Sequence, residues 1–433
     1  MTLLIRNGRI MDPASGFDAI GDVLIDGGKI VRVGGSYGGA GGPSDEIDEV
    51  LDASGKIVAP GFIDMHDHLR EPGLEHAETN ETGSRAAVAG GFTSICCMPN
   101  TIPVNDSPMV TRFIIERARQ TAVCHVFPIG AITKGSEGEE IAPIGSMKAA
   151  GVVAISDDGR PVMNARVTRR AMEFARSFDL PLIQHCEDLN LSAGGDMHEG
   201  PTSTRLGLRG IPSASEDVMV ARDILLAQLT GVRYHVAHLS TRNSVAMVAF
   251  AKSRGLTVTA EATPHHFAIT DEELCNYDSN YKMKPPLRSD DDVAAVIDGI
   301  VSGAIDAIAS DHAPHTGSQK MQEFERCPFG ITGLETAIGL SLEALVHTGR
   351  ISPMRLVDLF TTGPERILKL GRGRLVEGGP ADVTVFDLDS EWTFLAERSC
   401  SKSKNSPFDG HRFRGGPFTT IVNGAVVWRR GAL

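Results

Sequence analysis

The sequence predicts an α/β fold, a (β/α)8 TIM barrel with a small β-sandwich built from both chain termini. Three observations predict it. From residue 61 to about residue 370, apolar runs alternate with longer helical patterns, the texture of parallel βαβ units. Eight such runs fall near residues 61–66, 92–98, 123–130, 152–156, 181–185, 233–238, 256–262 and 305–310, and eight parallel strands close a barrel. The chain on either side is β-like and punctuated by turn signals, so the economical arrangement packs its two ends together. The expected boundaries are 1–59 for the N-terminal part of the sandwich, 60–372 for the barrel and 373–433 for the C-terminal part.

Within residues 2–59, the runs Leu3–Ile10, Asp22–Val33 and Glu49–Asp52 read as strands, with Asn7-Gly8 and Asp26-Gly27-Gly28 as hairpin turn signals. Gly34 to Gly42 reads as a glycine-rich loop. Pro60-Gly61 is a turn signal, and Gly61–Met65 follows it as a short buried strand. Helical patterns occupy 107–120, 163–178, 215–229, 242–254 and 290–302. After residue 370, the segment 374–387 reads as a turn and then a strand, and 419–428 as a hairpin about Asn423-Gly424.

The 433 residues carry a formal charge of −13, which excludes nucleic acid as the main partner because phosphate binding needs a basic face. Seven cysteines, an odd number without C-x-x-C spacing, read as core thiols in a reducing cytoplasm, with Cys96-Cys97 inside an apolar run. The start, Thr2-Leu3-Leu4-Ile5-Arg6, is too short for the apolar stretch of a signal peptide. No apolar run approaches the length of a membrane span.

Polar residues gather where the predicted barrel strands end. His66 and His68 follow the first strand at i and i+2, a spacing that turns both imidazoles to one face. Arg70 shares that parity, and a guanidinium suits a substrate carboxylate. The second strand ends in Met98-Pro99-Asn100-Thr101, the fourth in Ser156-Asp157-Asp158-Gly159, the fifth in Gln184-His185-Cys186-Glu187, the sixth in Val236-Ala237-His238 and the eighth in Ser310-Asp311-His312. Any one of these could be a core or capping residue. Four imidazoles and two carboxylates on five strand ends exceed the needs of one tetrahedral zinc with an open position. They suit two divalent metals sharing a carboxylate and a water, a kit for hydrolysing an amide-like C–N bond or closing it in reverse.

The motifs are long. They comprise Pro60-Gly61-Phe62-Ile63-Asp64-Met65-His66-Asp67-His68-Leu69-Arg70-Glu71-Pro72-Gly73, Met98–Thr101, Thr263-Pro264-His265-His266, Tyr281–Arg288, Asp311–His315 and Pro328-Phe329-Gly330. With them the chain resembles, nearly end to end, the amidohydrolase superfamily and within it the class I dihydroorotases. The resemblance implies that His66, His68 and Asp311 bind one zinc ion, that His185 and His238 bind a second, and that Asp158 bridges the two. Asp157 is the alternative bridge. Many relatives bridge with a carboxylated lysine, whereas this fourth strand offers none and Lys148 lies before it in a helical pattern.

Asp311 is implied as the general base and acid. Arg70, Asn100 and His315 are implied as the clamp for a substrate carboxylate, with His68, Phe329 and Gly330 also meeting the substrate. Lys284 stands where the family usually has Asn, and is carried as a further substrate contact. His265 and His266 read either as support for the metal ligands or as rim packing. His125 reads as core, His312 as pointing away from the site, and 316–327 as a polar loop over the site, a candidate lid.

The expected activity is reversible cyclisation of N-carbamoyl-L-aspartate to dihydroorotate. The rivals are another cyclic amidohydrolase, such as an allantoinase or hydantoinase, and an inactive structural partner of aspartate carbamoyltransferase. The resemblance further implies a homodimer and an association with aspartate carbamoyltransferase.

Overall fold

The computed structural model describes residues 1–37 and 47–431. The glycine-rich loop from residue 38 onward lies outside the described residues.

Both chain ends enter one eight-stranded sheet. Its order is Ala425–Arg429, Arg412–Val422, Val383–Thr393, Ile57–Pro60, Thr2–Asp12, Phe17–Asp26 and Lys29–Val33, with Glu49–Asp52 also paired to Thr2–Asp12. The join between the ends is Ile57–Pro60, which runs parallel to the first strand and antiparallel to Val383–Thr393. The sheet folds over, so that Ile25 and Ile30 from one end share a core with Val383 and Ile421 from the other. Ala381 seals the fold: its N–H donates to Gly28 O (3.0 Å) and its carbonyl accepts from Gly424 N (2.8 Å).

Two expected hairpin turns form. Gly27 and Gly28 have φ of 55° and 79°, and Asn423 and Gly424 have 49° and 80°, the left-handed pair that a tight two-residue hairpin demands. The third turn signal misleads. Asn7-Gly8 is a bulge inside Thr2–Asp12, where the register slips between Ile5 and Gly8. A Cβ on Gly8 would lie 2.3 Å from Val58 Cγ2, so glycine is needed there for close approach of the neighbouring strand.

The eight expected barrel strands are present as Phe62–Asp67, Phe92–Cys97, His125–Pro128, Ile155–Ser156, Leu182–Gln184, Tyr234–Val236, Val258–Ala262 and Ala307–Ile308. The first three form one parallel arc and the other five a second. Single parallel bridges join the arcs at both seams, Gly130 to Ile155 and Asp67 to His312, so the pairing runs round a circuit of eight. The predicted helices appear as Pro108–Thr121, Ala165–Ser177, Ala214–Thr230, Arg242–Ser253 and Asp290–Ser302. Ser107, Asn164 and Thr241 cap the first, second and fourth by accepting backbone N–H groups.

Phe62 and Phe92 open the first two barrel strands, at the end opposite the polar cluster residues. Phe62 stacks on Phe360 at 5.3 Å and meets Phe386 of the terminal sheet at 5.7 Å, while Phe92 packs edge-on to Phe360 at 5.7 Å. All four rings are fully buried. This aromatic knot fastens the barrel to the sheet that the termini build. Phe360→Ala is expected to destabilise the protein by about 3–5 kcal/mol, read as a shifted denaturant midpoint; an unshifted midpoint would contradict the knot.

Candidate functional site

Barrel closure brings the strand ends together at one face. Asp64, fully buried in the first strand, accepts the N–H of Ser310 (2.9 Å) and its hydroxyl. His68 N donates to His312 O at 2.9 Å. These contacts hold the residues after the eighth strand beside those after the first, and so set Asp311 against His66 and His68.

Asp158 stands at the centre. Its Oδ1 lies 3.4 Å from His66 Nε2, 3.7 Å from His185 Nδ1 and 3.6 Å from His238 Nε2, and its Oδ2 lies 3.4 Å from His68 Nε2. Asp311 Oδ1 lies 3.4 Å from His66 Nε2 and 3.3 Å from His68 Nε2. All six side chains are buried.

Burial pushes both carboxyls up, but the imidazoles around them, His66 foremost, carry both below the usual carboxylate range. His66 Nε2 and Asp158 Oδ1 are buried without a hydrogen-bond partner. In two sets, His66–His68–Asp158 and Asp158–His185–His238, the ligand atoms lie within 4.8 Å of one another. Ionised carboxylates and unpartnered lone pairs converging in a buried space fit divalent cations.

Residues behind the cluster orient it. Glu261 accepts from His66 Nδ1 at 2.7 Å and His235 Nε2 at 3.2 Å. Burial pushes Glu261 up, but these imidazoles bring it down to about 2, so it stays ionised. With Nδ1–H donating to Glu261, His66 turns its Nε2 toward Asp158. Asn100 Oδ1 accepts from His68 Nδ1 at 2.8 Å, which aims Nε2 of that ring in the same way. Glu187 accepts from His185 Nε2 at 2.9 Å, leaving Nδ1 facing the cluster. Sequence reasoning missed the roles of Glu261 and Glu187. The available signals were an acid inside the apolar run 256–262 and an acid two residues past His185.

The expected substrate residues line the same face. Arg70 is held by Nε donation to Pro314 O at 3.2 Å. Burial pulls its guanidinium down to about 10 against the opposing pull of Asp311 and Asp158, so it remains charged. His315 Nε2 donates to Phe329 O at 2.8 Å. Burial and then Arg70 hold this imidazole down to about 3, so it is neutral at pH 7. Gly330 has φ of 130°, and a Cβ there would lie 2.8 Å from Ala313 Cβ and 3.0 Å from His315 Nε2. Lys284 Nζ donates to Glu187 Oε1 at 2.6 Å and lies 4.8 Å above the Phe329 ring. It therefore touches the cluster through Glu187 and His185.

The structure separates the two adjacent acids on the fourth strand. Asp157 accepts from Ile132 N (2.8 Å), Thr133 N (3.2 Å) and the Thr133 hydroxyl, tying down a neighbouring loop away from the cluster. Lys148 is exposed on the helix Ile144–Ala150. His265 bonds to Thr263 Oγ1 at 2.9 Å, and His266 to Thr263 Oγ1 at 2.6 Å and Pro285 O at 2.9 Å. His312 turns away to Glu78 at 3.2 Å. His125 is half-buried rather than core: it reaches Asp382 of the terminal sheet at 3.1 Å.

The segment 316–327 begins with a short helix, Gly317–Lys320. It is moored by the buried Lys320, whose Nζ donates to Ser279 O (2.8 Å), Lys282 O (3.2 Å) and Pro328 O (3.0 Å).

Residues 55–244 match the family described as dihydro-orotase-like. A dihydroorotase from Solibacter usitatus is 67% identical over 99% of each chain. One from Pelotomaculum thermopropionicum is 53% identical over 99% of this chain and 98% of its own. Among solved structures, an L-hydantoinase (dihydropyrimidinase) from Arthrobacter aurescens superposes with a TM-score of 0.88 at 25% identity, covering 100% of this chain and 97% of that one. A dihydropyrimidinase from Brevibacillus agri superposes with a TM-score of 0.84 at 23% identity, covering 99% and 95%, a likeness of fold alone.

Glu261→Gln is expected to keep the fold and weaken metal binding by about 10–100-fold, measured by competition with a chromophoric chelator. An unchanged affinity would contradict the orienting role of Glu261.

Proposed function

The chain belongs to the dihydroorotase family of metal-dependent cyclic amidohydrolases, and from that premise we propose its reaction and the residues that perform it. It interconverts N-carbamoyl-L-aspartate with (S)-dihydroorotate and water, a step of de novo pyrimidine (UMP) synthesis. The observation that carries the proposal is the set of four imidazoles about two ionised carboxylates, Asp158 and Asp311, with the half-buried cation Arg70 on the same face.

His66, His68 and Asp311 would hold one zinc ion, His185 and His238 a second, with Asp158 shared. Bound there, the two ions would acidify a water and polarise the carbonyl that it attacks. Asp311 would accept the water's proton and return it to the ring nitrogen as the C–N bond breaks. In the opposite direction it would take that proton from the ureido nitrogen as the ring closes.

Arg70, Asn100 and His315 would grip the substrate carboxylate, with His68, Phe329 and Gly330 also meeting the substrate. Lys284 would add a cation at the rim, over Phe329. The pull toward an anionic ring distinguishes this site from that of the hydantoinases that share its fold, whose simple ring substrates lack a carboxylate.

Residues 60–372 would form the hydrolase domain, flanked by a sandwich from 1–59 and 373–433. A cytoplasmic location is supported by six unpaired cysteines among the described residues. No helix among the described residues is long and apolar enough to cross a membrane. A homodimer is supported by an apolar groove of 490 Å³ lined by Leu225, Met247 and Phe250, of which Leu225 and Phe250 are exposed. Association with aspartate carbamoyltransferase is a further proposed contact.

Turnover on dihydroorotate against a neutral hydantoin tests the substrate. The protein should open dihydroorotate far faster, and Arg70→Met should raise KM for dihydroorotate by about tenfold or more with metal content unchanged. Ring closure consumes one proton, so the equilibrium ratio should move toward the ring by about tenfold per unit fall in pH. Equal turnover of both rings would overturn the substrate assignment.

A further inference from the structure

We infer, resting on the substrate clamp proposed above, that Asn405 is a positioning residue for that clamp. Asn405 belongs to the connection between the terminal-sheet strands Val383–Thr393 and Arg412–Val422, a part of the chain from which no site residue was expected. Its side chain is nonetheless buried against two barrel loops. Its Oδ1 accepts from His315 N at 3.0 Å. Its Nδ2 donates to Ala313 O at 3.2 Å and to Gly330 O at 3.1 Å. Its own carbonyl accepts from Thr332 N at 3.0 Å.

A primary amide offers two donors and one acceptor oxygen, and here both donors and the oxygen are committed to backbone atoms of the loops that carry His315 and Gly330. The gap between those loops has no slack, because a Cβ on Gly330 would meet both Ala313 and His315. One side chain therefore sets how far His315 stands from Gly330, and with it the shape of the space between Arg70 and Phe329.

The segment is itself anchored to the loop after the first strand. Ser403 Oγ donates to Ala77 O at 2.7 Å, Lys402 N donates to Glu78 Oε1 at 3.1 Å, and the Ser401 hydroxyl donates to the other Glu78 oxygen. Glu78 passes the connection on to His312 at 3.2 Å. The terminal sheet thus braces the clamp between the first and eighth strand ends.

Substituting the amide separates positioning from packing. Asn405→Asp is nearly isosteric but sets a carboxylate oxygen against two carbonyl oxygens, so a positioning role makes Asp worse than Ala, and a packing role makes it milder. The expected result for Asn405→Ala is a KM for dihydroorotate raised by about tenfold with kcat changed far less and metal content unchanged, with Asn405→Asp more severe. Ser403→Ala, which loosens the anchor behind Asn405 but leaves its amide contacts in place, should raise KM in the same direction and by less than Asn405→Ala. Should Asn405→Ala not fold, Asn405→Ser is read in the same way.

His315→Ala tells the two failures apart. If it leaves KM unchanged, the clamp itself falls. If it raises KM while Asn405→Ala does not, or if Asn405→Asp is milder than Asn405→Ala, the inference about Asn405 is overturned.

Discussion

The seam between the first and eighth barrel strands is the constraint on which the site depends. Asp64 spans it, taking two hydrogen bonds from Ser310, and the His68–His312 backbone bond lies just beyond. Burial lifts the Asp64 carboxyl to about 6 while Ser310 holds it down, and hydrogen bonds to a charged carboxylate are the strong kind, roughly 1.5–3 kcal/mol each. If this seam opened by a residue, Asp311 would no longer face His66 and His68, and two halves of one cluster would be left on separate strands.

Around that seam the protein spends polar groups to fix ring orientation. Each cluster imidazole except His238 has an oxygen acceptor on its outer nitrogen: Glu261 for His66, Asn100 for His68 and Glu187 for His185. The backbone takes part as well. Arg70, His238 and Asp311 all have left-handed φ, at 61°, 31° and 46°, a conformation that non-glycine residues hold only where the surroundings insist. Three strained residues at one barrel face, with the aromatic knot at the other, match the division of a barrel into a face for chemistry and a face for stability.

Much of this was legible in the sequence because it is written in local patterns. Alternating runs marked the barrel strands, and the i, i+2 spacing of His66 and His68 marked the first pair of cluster residues. The two-residue turns at Gly27-Gly28 and Asn423-Gly424 were legible because a left-handed pair leaves a glycine signature. Asn7-Gly8 carried the same signature for another reason, close approach of Val58, which no local pattern reveals. Glu261, Glu187 and Asn405 were illegible for a related reason. Their importance lies in what they touch across the barrel, and an acid in a strand or an amide in a loop looks ordinary until its partners are known. Asp157 and Asp158, identical in type and adjacent, could be told apart only by resemblance; in three dimensions one ties a loop and the other faces four imidazoles.

The most direct test is Asp311→Asn, assayed for zinc content and for opening of dihydroorotate. The substitution keeps the shape and an oxygen toward His66 and His68 but removes the base. The expected result is a protein that folds, still binds zinc and has lost nearly all turnover, ring opening and ring closure alike. A variant that turns over dihydroorotate at a rate near that of the unaltered protein would contradict the assignment of Asp311 as the group that moves the proton.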